Sequence, residues 1–162
     1  MVVNDFHKEY SFLSNFAPAK VEYNGIVFPS VEHAYVASKS LDLDVQMEVA
    51  KLSTAGKAKR FGRKEIQIRS DFDSVKYDIM KSLLEQKFKN PFYRFLLSQT
   101  GDAELIEGNT WHDNYWGSCT CDYCEDKGQN NLGKLLMEIR SQITETKFDV
   151  VAGMNEIDSL TV

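Results

Sequence analysis

The stretch FPSVEHAYVASK, residues 28–39, decides how the chain opens its helical part. Pro29 stops whatever precedes it and Ser30 is a good N-cap. Val31, Ala34, Tyr35 and Ser38 then recur at i, i+3, i+4 and i+7, the spacing of one helix face. A helix is therefore predicted from Val31, with its apolar stripe heading into a core. The same segment carries a carboxylate, an imidazole and an ammonium. At about 100° per residue, Glu32 and Lys39 project within roughly 20° of each other, two turns or about 10 Å apart along the axis. That is too far for an i,i+4 ion pair, but a group placed between them could touch both. His33 lies on another face and reads as structural.

Upstream, VEYNGIVF (21–28) sets Asn24-Gly25 between two short β-branched and aromatic runs, the signature of a two-residue hairpin. Downstream, a second helix is expected from about Val45 to Leu52, then a short basic helix ending at Gly62. In DSVKYDIMKSLLEQKFK (73–89), Val75, Ile79 and Leu83 follow an Asp N-cap at i, i+4 and i+8, predicting a long helix. Asn90-Pro91 breaks it, and residues 92–98 form another helix closed near Gly101. AELIEG (103–108) reads as a strand. Leu132, Leu135, Leu136, Ile139 and Ile143 mark a last helix capped by Asn130 or Asn131. The expected fold is α+β and mainly helical, without the alternating order of a doubly wound sheet. It comprises one compact domain, residues 1–147, with a small N-terminal hairpin or antiparallel sheet, and an unassigned extension over 148–162.

The chain has 162 residues, 43% of them hydrophobic, enough to bury a core of its own. Its formal charge of −5 lacks the footprint of a general nucleic-acid binder. The charge is uneven, however: GKAKRFGRK (56–64) gathers Lys57, Lys59, Arg60, Arg63 and Lys64, either a solvated basic helix end or a seat for phosphates. No apolar run approaches the roughly 20 residues that span a bilayer, and the first residues lack the order of a signal peptide. Three cysteines within six residues suit a reducing compartment. A cytoplasmic protein without membrane partners is expected.

Residues 109–130 form a segment too long for a simple connection, and therefore a functional candidate. TWHDNYWG (110–117) holds two tryptophans and a tyrosine, which either lid a core or stack on a base; alone, the segment favours the lid. The thiols of Cys119, Cys121 and Cys124, with His112 as a fourth ligand, could hold zinc. Structural zinc usually wants two separated ligand pairs, and no second CxxC or HxxxH exists here. The loop is thus read as one of ordinary reduced cysteines, with no metal and no cofactor expected. Glu32, in the first turn of its helix, either stabilises the helix start or serves as a persistently ionised carboxylate in catalysis. Lys39 is either a snorkelling surface lysine or a desolvated acid or nucleophile. Phosphate-loop, dinucleotide and GxSxG signatures are absent.

Taken together, FLSNFAP (12–18), FPSVEHAYVASK (28–39), DNYWG (113–117) and GQNNLGKLLMEIR (128–140), in this order and spacing, resemble the YbiA-like, or NADAR, family over roughly residues 6–142. The resemblance implies a compact, mainly helical N-glycosidase that cleaves a ribose-to-nitrogen bond. The substrate is then ADP-ribose on guanine of nucleic acid, or a phosphorylated ribosylamino-pyrimidine of riboflavin biosynthesis. Residue by residue, it implies catalytic roles for Glu32, Lys39 and Asp113. It implies substrate contacts at Asn15, Phe16, Arg60, Gly62, Trp116, Gly117 and Asn131. Glu32 would stabilise positive charge on the ribose or direct water, as glycosidase carboxylates do. Lys39 would protonate the substrate or capture the sugar C1 as an imine. Asp113 would position the ribose or share proton transfer, and Trp116 would stack on base or sugar. The expectation leans to ADP-ribose on guanine. A catalytically silent ADP-ribose reader is the alternative from another class, needing neither Glu32 nor Lys39. The cysteine insert 118–127 departs from the family pattern, which continues there with a short Gly-rich turn.

Overall fold

In the computed structural model, which describes residues 1–125 and 127–161, the chain is α+β and mainly helical. Its packing divides into two compact units. One runs from Asn15 to Tyr93 and takes back the chain from Asp149 onward; the other joins Met1–Ser14 to Arg94–Phe148.

The first unit begins with the hairpin of β1 (Pro18–Tyr23) and β2 (Ile26–Ser30), paired antiparallel with Val21 opposite Phe28 and Tyr23 opposite Ile26. Asn24 and Gly25 turn it with φ of 52° and 77°, the left-handed pair that a two-residue hairpin needs. Ala19 and Val21 are buried while Lys20 and Glu22 are exposed, the period of two expected of a half-buried strand. Four helices follow: α1 (Val31–Ser38), α2 (Leu43–Ala50), α3 (Ala55–Lys64) and α4 (Phe72–Lys87). Helix α1 is central, touching the hairpin and α2, α3 and α4, so all its residues but Glu32 are buried. Ser30 caps it as expected, its Oγ accepting the His33 N–H at 3.1 Å. The Gln86 side chain of α4 both accepts from the Glu22 N–H (2.7 Å) and donates to the Glu22 carbonyl (3.0 Å), satisfying the hairpin edge.

Two sequence expectations in this unit need correction, and one segment left unassigned takes a definite form. The basic helix does not end at Gly62 but runs on to Lys64. Gly62 is buried against Val36, where a Cβ would stand 2.9 Å from the valine Cγ1, so the glycine lets α3 approach α1 closely. Asp73 is not the cap of α4; it lies in the first turn, 2.9 Å from Lys76 Nζ. Asp71 holds the cap position and instead grips Arg69 through both carboxylate oxygens, at 2.6 and 2.8 Å. Finally, the unassigned tail forms a helix, capped by Asp149 through the Ala152 N–H at 3.1 Å. Asn90 binds it, donating to the Gly153 carbonyl at 3.0 Å while its own Oδ1 accepts from the Phe92 and Tyr93 N–H groups.

In the second unit, β3 (Val2–Val3) lies parallel to β4 (Glu104–Leu105), and β5 (Gly108–Asn109) parallel to β6 (Ser118–Cys119). The strand expected over 103–108 is thus two short strands with different partners. A 3₁₀ turn (Lys8–Leu13), the helix α5 (Pro91–Gln99) that enters from the first unit, and α6 (Asn131–Ser141) complete it. Leu132, Leu135, Leu136 and Ile139 are buried, the spacing read from the sequence. Asn130 holds the N-cap position of α6 as expected, at φ 51°, but its side chain makes no capping hydrogen bond. Its side chain accepts from the Glu107 N–H and donates to the Leu105 carbonyl, holding the β4–β5 link. Among the described residues, no helix is long and apolar enough to cross a membrane.

Candidate active site

The candidate residues fall on two segments, one in each unit. In the first unit, Glu32 occupies the first turn of α1, half-buried, its N–H donating to the Asn15 carbonyl at 3.0 Å. Lys39 is the C-cap of the same helix and also half-buried. Burial lowers its pKa below the ordinary lysine value; the negative charge of Glu32 opposes this, while Arg63 and Lys59 push it lower still. The ammonium stands 5.5 Å from the centroid of the Tyr35 ring, one turn back on α1.

Lys59 and Arg63, spaced i,i+4 on α3, are the cations whose charges reach Lys39. Lys59 also lies over the Phe16 ring, 5.6 Å from its centroid, with Phe16 itself 43% exposed. Arg60 is exposed on the same helix, and Gly62 is buried on Val36. Naming Arg60 within the basic run passes over this division; the i,i+4 spacing of Lys59 and Arg63 is the signal that separates them.

Asn15 is 8% exposed. Its amide nitrogen donates to Met80 Sδ at 3.6 Å, while its Oδ1 is buried without a hydrogen-bond partner among the described residues. A buried acceptor left unmet costs stability, so this oxygen is suited to take a donor from a bound molecule.

His33 is held as a neutral ring. Its Nε2 donates to the Leu52 carbonyl at 2.9 Å, and its Nδ1 accepts from Ser30 Oγ at 2.6 Å; burial lowers its pKa, with the Leu52 bond opposing. It ties α1 to the end of α2 and takes no part in the Glu32–Lys39 cluster.

In the second unit, the 109–131 segment is built around Asn109 and Asp113. Asn109 Oδ1 accepts from the N–H groups of Trp111 and Asp113, and its amide donates to the Asp113 carbonyl at 2.8 Å. Asp113 Oδ1 accepts from the Tyr115 and Trp116 N–H groups at 3.1 and 2.9 Å. One of its carboxylate oxygens is therefore committed to the turn, a structural duty the sequence did not disclose. Trp116 is buried and packs edge-on to Tyr115, centroids 4.8 Å apart. At Gly117 a Cβ would fall 2.2 Å from the Glu107 carbonyl oxygen, so the backbones meet too closely for any side chain. Asn131 opens α6, its N–H donating to the Tyr115 carbonyl at 3.2 Å.

These features define an α+β protein with an acid and an amine on one helix and two cations of a second helix acting on the amine. The chain belongs to the NADAR domain family, which it matches over residues 3–144. It is 37% identical over 141 residues to N-glycosidase YbiA of Escherichia coli strain K12, covering 86% of this chain and 85% of that protein. An N-glycosidase of Nostoc punctiforme is 34% identical over 139 residues, covering 83% and 86%. A riboflavin biosynthesis protein of Vibrio vulnificus is 33% identical over 141 residues, which make up 85% of this chain and 37% of that longer one. The solution structure of Escherichia coli YbiA superposes with a TM-score of 0.72 at 34% identity, covering 87% of this chain and 84% of that one.

Proposed function

We propose that the chain is a hydrolase of N-glycosyl bonds, an N-glycosidase acting at the Glu32–Lys39 cluster on a ribose joined to a nucleobase, most favourably ADP-ribose on guanine of nucleic acid. The observation that carries this reading is the pairing of charges on α1. Lys39 is desolvated, Glu32 acts against that desolvation, and the charges of Arg63 and Lys59 reach the amine. The relatives named N-glycosidase support the reaction class.

Breaking a ribose–nitrogen bond develops positive charge on the sugar ring while water adds at C1 and the base departs with a proton. A carboxylate in the first turn of a helix stays ionised and stabilises that cation more than it stabilises the neutral substrate. Lys39, its pKa lowered, exchanges its proton more readily near neutral pH than an ordinary lysine. It either protonates the leaving nitrogen or captures C1 as an imine after the ring opens. Lys59, Arg63 and the exposed Arg60 supply charge for a phosphate or diphosphate. Asn15 Oδ1 accepts from a sugar hydroxyl or base amine. Replacement of Asp113 or Trp116 should also lower turnover.

A second reading, hydrolysis of phosphorylated ribosylamino-pyrimidines, draws support from the relatives named for riboflavin biosynthesis. The test is incubation with an ADP-ribosylated guanine oligonucleotide and, separately, with the ribosylamino-pyrimidine phosphate, following released base and sugar by mass spectrometry. Release from the first alone supports the leading reading, and release from the second alone the other. Release from neither, with ADP-ribose still bound tightly, leaves a reader module and refutes the enzyme.

A further inference from the structure

The cysteine insert is a departure from the family pattern that the proposed reaction does not use. In the structure it is not a loose thiol loop. The Sγ atoms of Cys119, Cys121 and Cys124 and a ring nitrogen of His112 all lie within 4.8 Å of one another. His112 Nδ1 is 3.3 Å from Cys124 Sγ, 3.4 Å from Cys121 Sγ and 3.8 Å from Cys119 Sγ.

We infer that His112, Cys119, Cys121 and Cys124 form a structural zinc site. A tetrahedron with Zn–S of about 2.3 Å and Zn–N of about 2.0–2.1 Å has N···S edges of roughly 3.5 Å, and the three observed distances straddle that value. The donor set is soft, as zinc prefers, and four protein ligands leave no position for water or substrate, so the metal is structural. On binding, the three thiols release their protons to solvent and His112 ligates as neutral imidazole through Nδ1, leaving the centre with one net negative charge.

The chain is shaped for this without a second ligand pair. Strand β6 delivers Cys119, buried and held by its N–H to Asn114 Oδ1 at 2.9 Å. The carbonyl of Cys121 accepts from the N–H groups of Cys124 and Glu125, a tight turn that brings the two sulfurs to one side. His112, at φ 68°, reaches the cluster from the far end of the segment. The second ligand pair is thus replaced by a single histidine seven positions upstream of Cys119. The metal pins the insert to the residue that precedes Asp113, and so fixes the turn carrying Asp113 and Trp116.

The test is metal analysis of the full chain, free of any affinity tag, purified under reducing conditions, reconstituted with zinc and desalted. The wild type should carry about one zinc per chain, as should Asp122→Asn, an exposed control within the same turn. Cys121→Ser should fall to near zero. Cobalt substitution should give the intense visible bands of tetrahedral thiolate ligation in the wild type and an altered spectrum in His112→Ala. A wild type that retains no zinc, one that binds iron instead, or a Cys121→Ser protein that holds as much zinc as the wild type, would each overturn the site.

Discussion

Glu32 works against the burial of Lys39: along one helix, the carboxylate of the first turn raises the proton affinity of the amine at the C-cap, while Arg63 and Lys59 lower it. The two residues are thereby coupled in protonation, not only neighbours on a face.

That coupling is measurable. In Glu32→Gln the raising charge is gone, so the Lys39 pKa should move further down; in Arg63→Gln it should move up. Direct titration of the Lys39 amine by NMR checks both directions. A Lys39 pKa unmoved by either change would break the link.

Lys59→Met and Arg63→Gln should raise KM for a phosphorylated substrate more than they lower kcat, with a loss in kcat/KM of about 10-fold, about 1.4 kcal/mol. Each should also flatten the salt dependence of binding. Steady-state kinetics at two ionic strengths would show it.

His33 sets a pH dependence of stability. Its pKa in the folded chain lies below the ordinary 6.5, so the unfolded chain binds the proton more readily. The stability contributed is present above pH 6.5 and is lost as pH falls below it. Denaturant unfolding between pH 8 and pH 5 should therefore show a steeper acid loss in the wild type than in His33→Gln. At pH 8, His33→Ala should cost about 1–3 kcal/mol, because Ser30 and the Leu52 carbonyl lose their partner.

Two glycines give a packing contrast. Gly117→Ala forces a methyl onto the Glu107 carbonyl and should destabilise by about 1–3 kcal/mol. Gly56→Ala, on α3 with only Thr54 Oγ1 nearby at 3.9 Å, should be neutral or stabilising by up to about 1 kcal/mol. Thermal unfolding of both variants decides the matter; equal losses would contradict the contact.

Where structure follows from local chemistry, the sequence was readable. Ser30 as cap, Asn24-Gly25 as turn, and the apolar rows of α1 and α6 depend on neighbours a few residues away, and so leave periodic traces; in α4 only Leu83 of the expected row is buried, beside Phe72, Met80, Leu84 and Lys87. Where a residue serves a distant partner the trace disappears. Gly62 resembles a helix stop but is a contact with Val36, and Asn130 holds the cap position while its side chain bridges Glu107 and Leu105. The C-terminal helix escaped because Gly153, its one buried residue, packs backbone against Phe92 and Asn90, where hydropathy sees nothing. At the candidate site, the shared helix flank of Glu32 and Lys39 was legible from helix geometry, while their proposed roles rest on the family resemblance. That the charges of Lys59 and Arg63 reach Lys39, and that His112 and the three cysteines bring their ligand atoms within 4.8 Å of one another, needed the tertiary fold.

The most direct measurement is single-turnover release of base from an ADP-ribosylated guanine oligonucleotide by wild type and Glu32→Gln, with thermal unfolding of both run alongside. The expected result is release by the wild type and a loss of about 100-fold or more in the variant, on the order of 3 kcal/mol, with an unchanged unfolding temperature. A folded Glu32→Gln protein that releases base at the wild-type rate would contradict the assignment of Glu32 to the reaction.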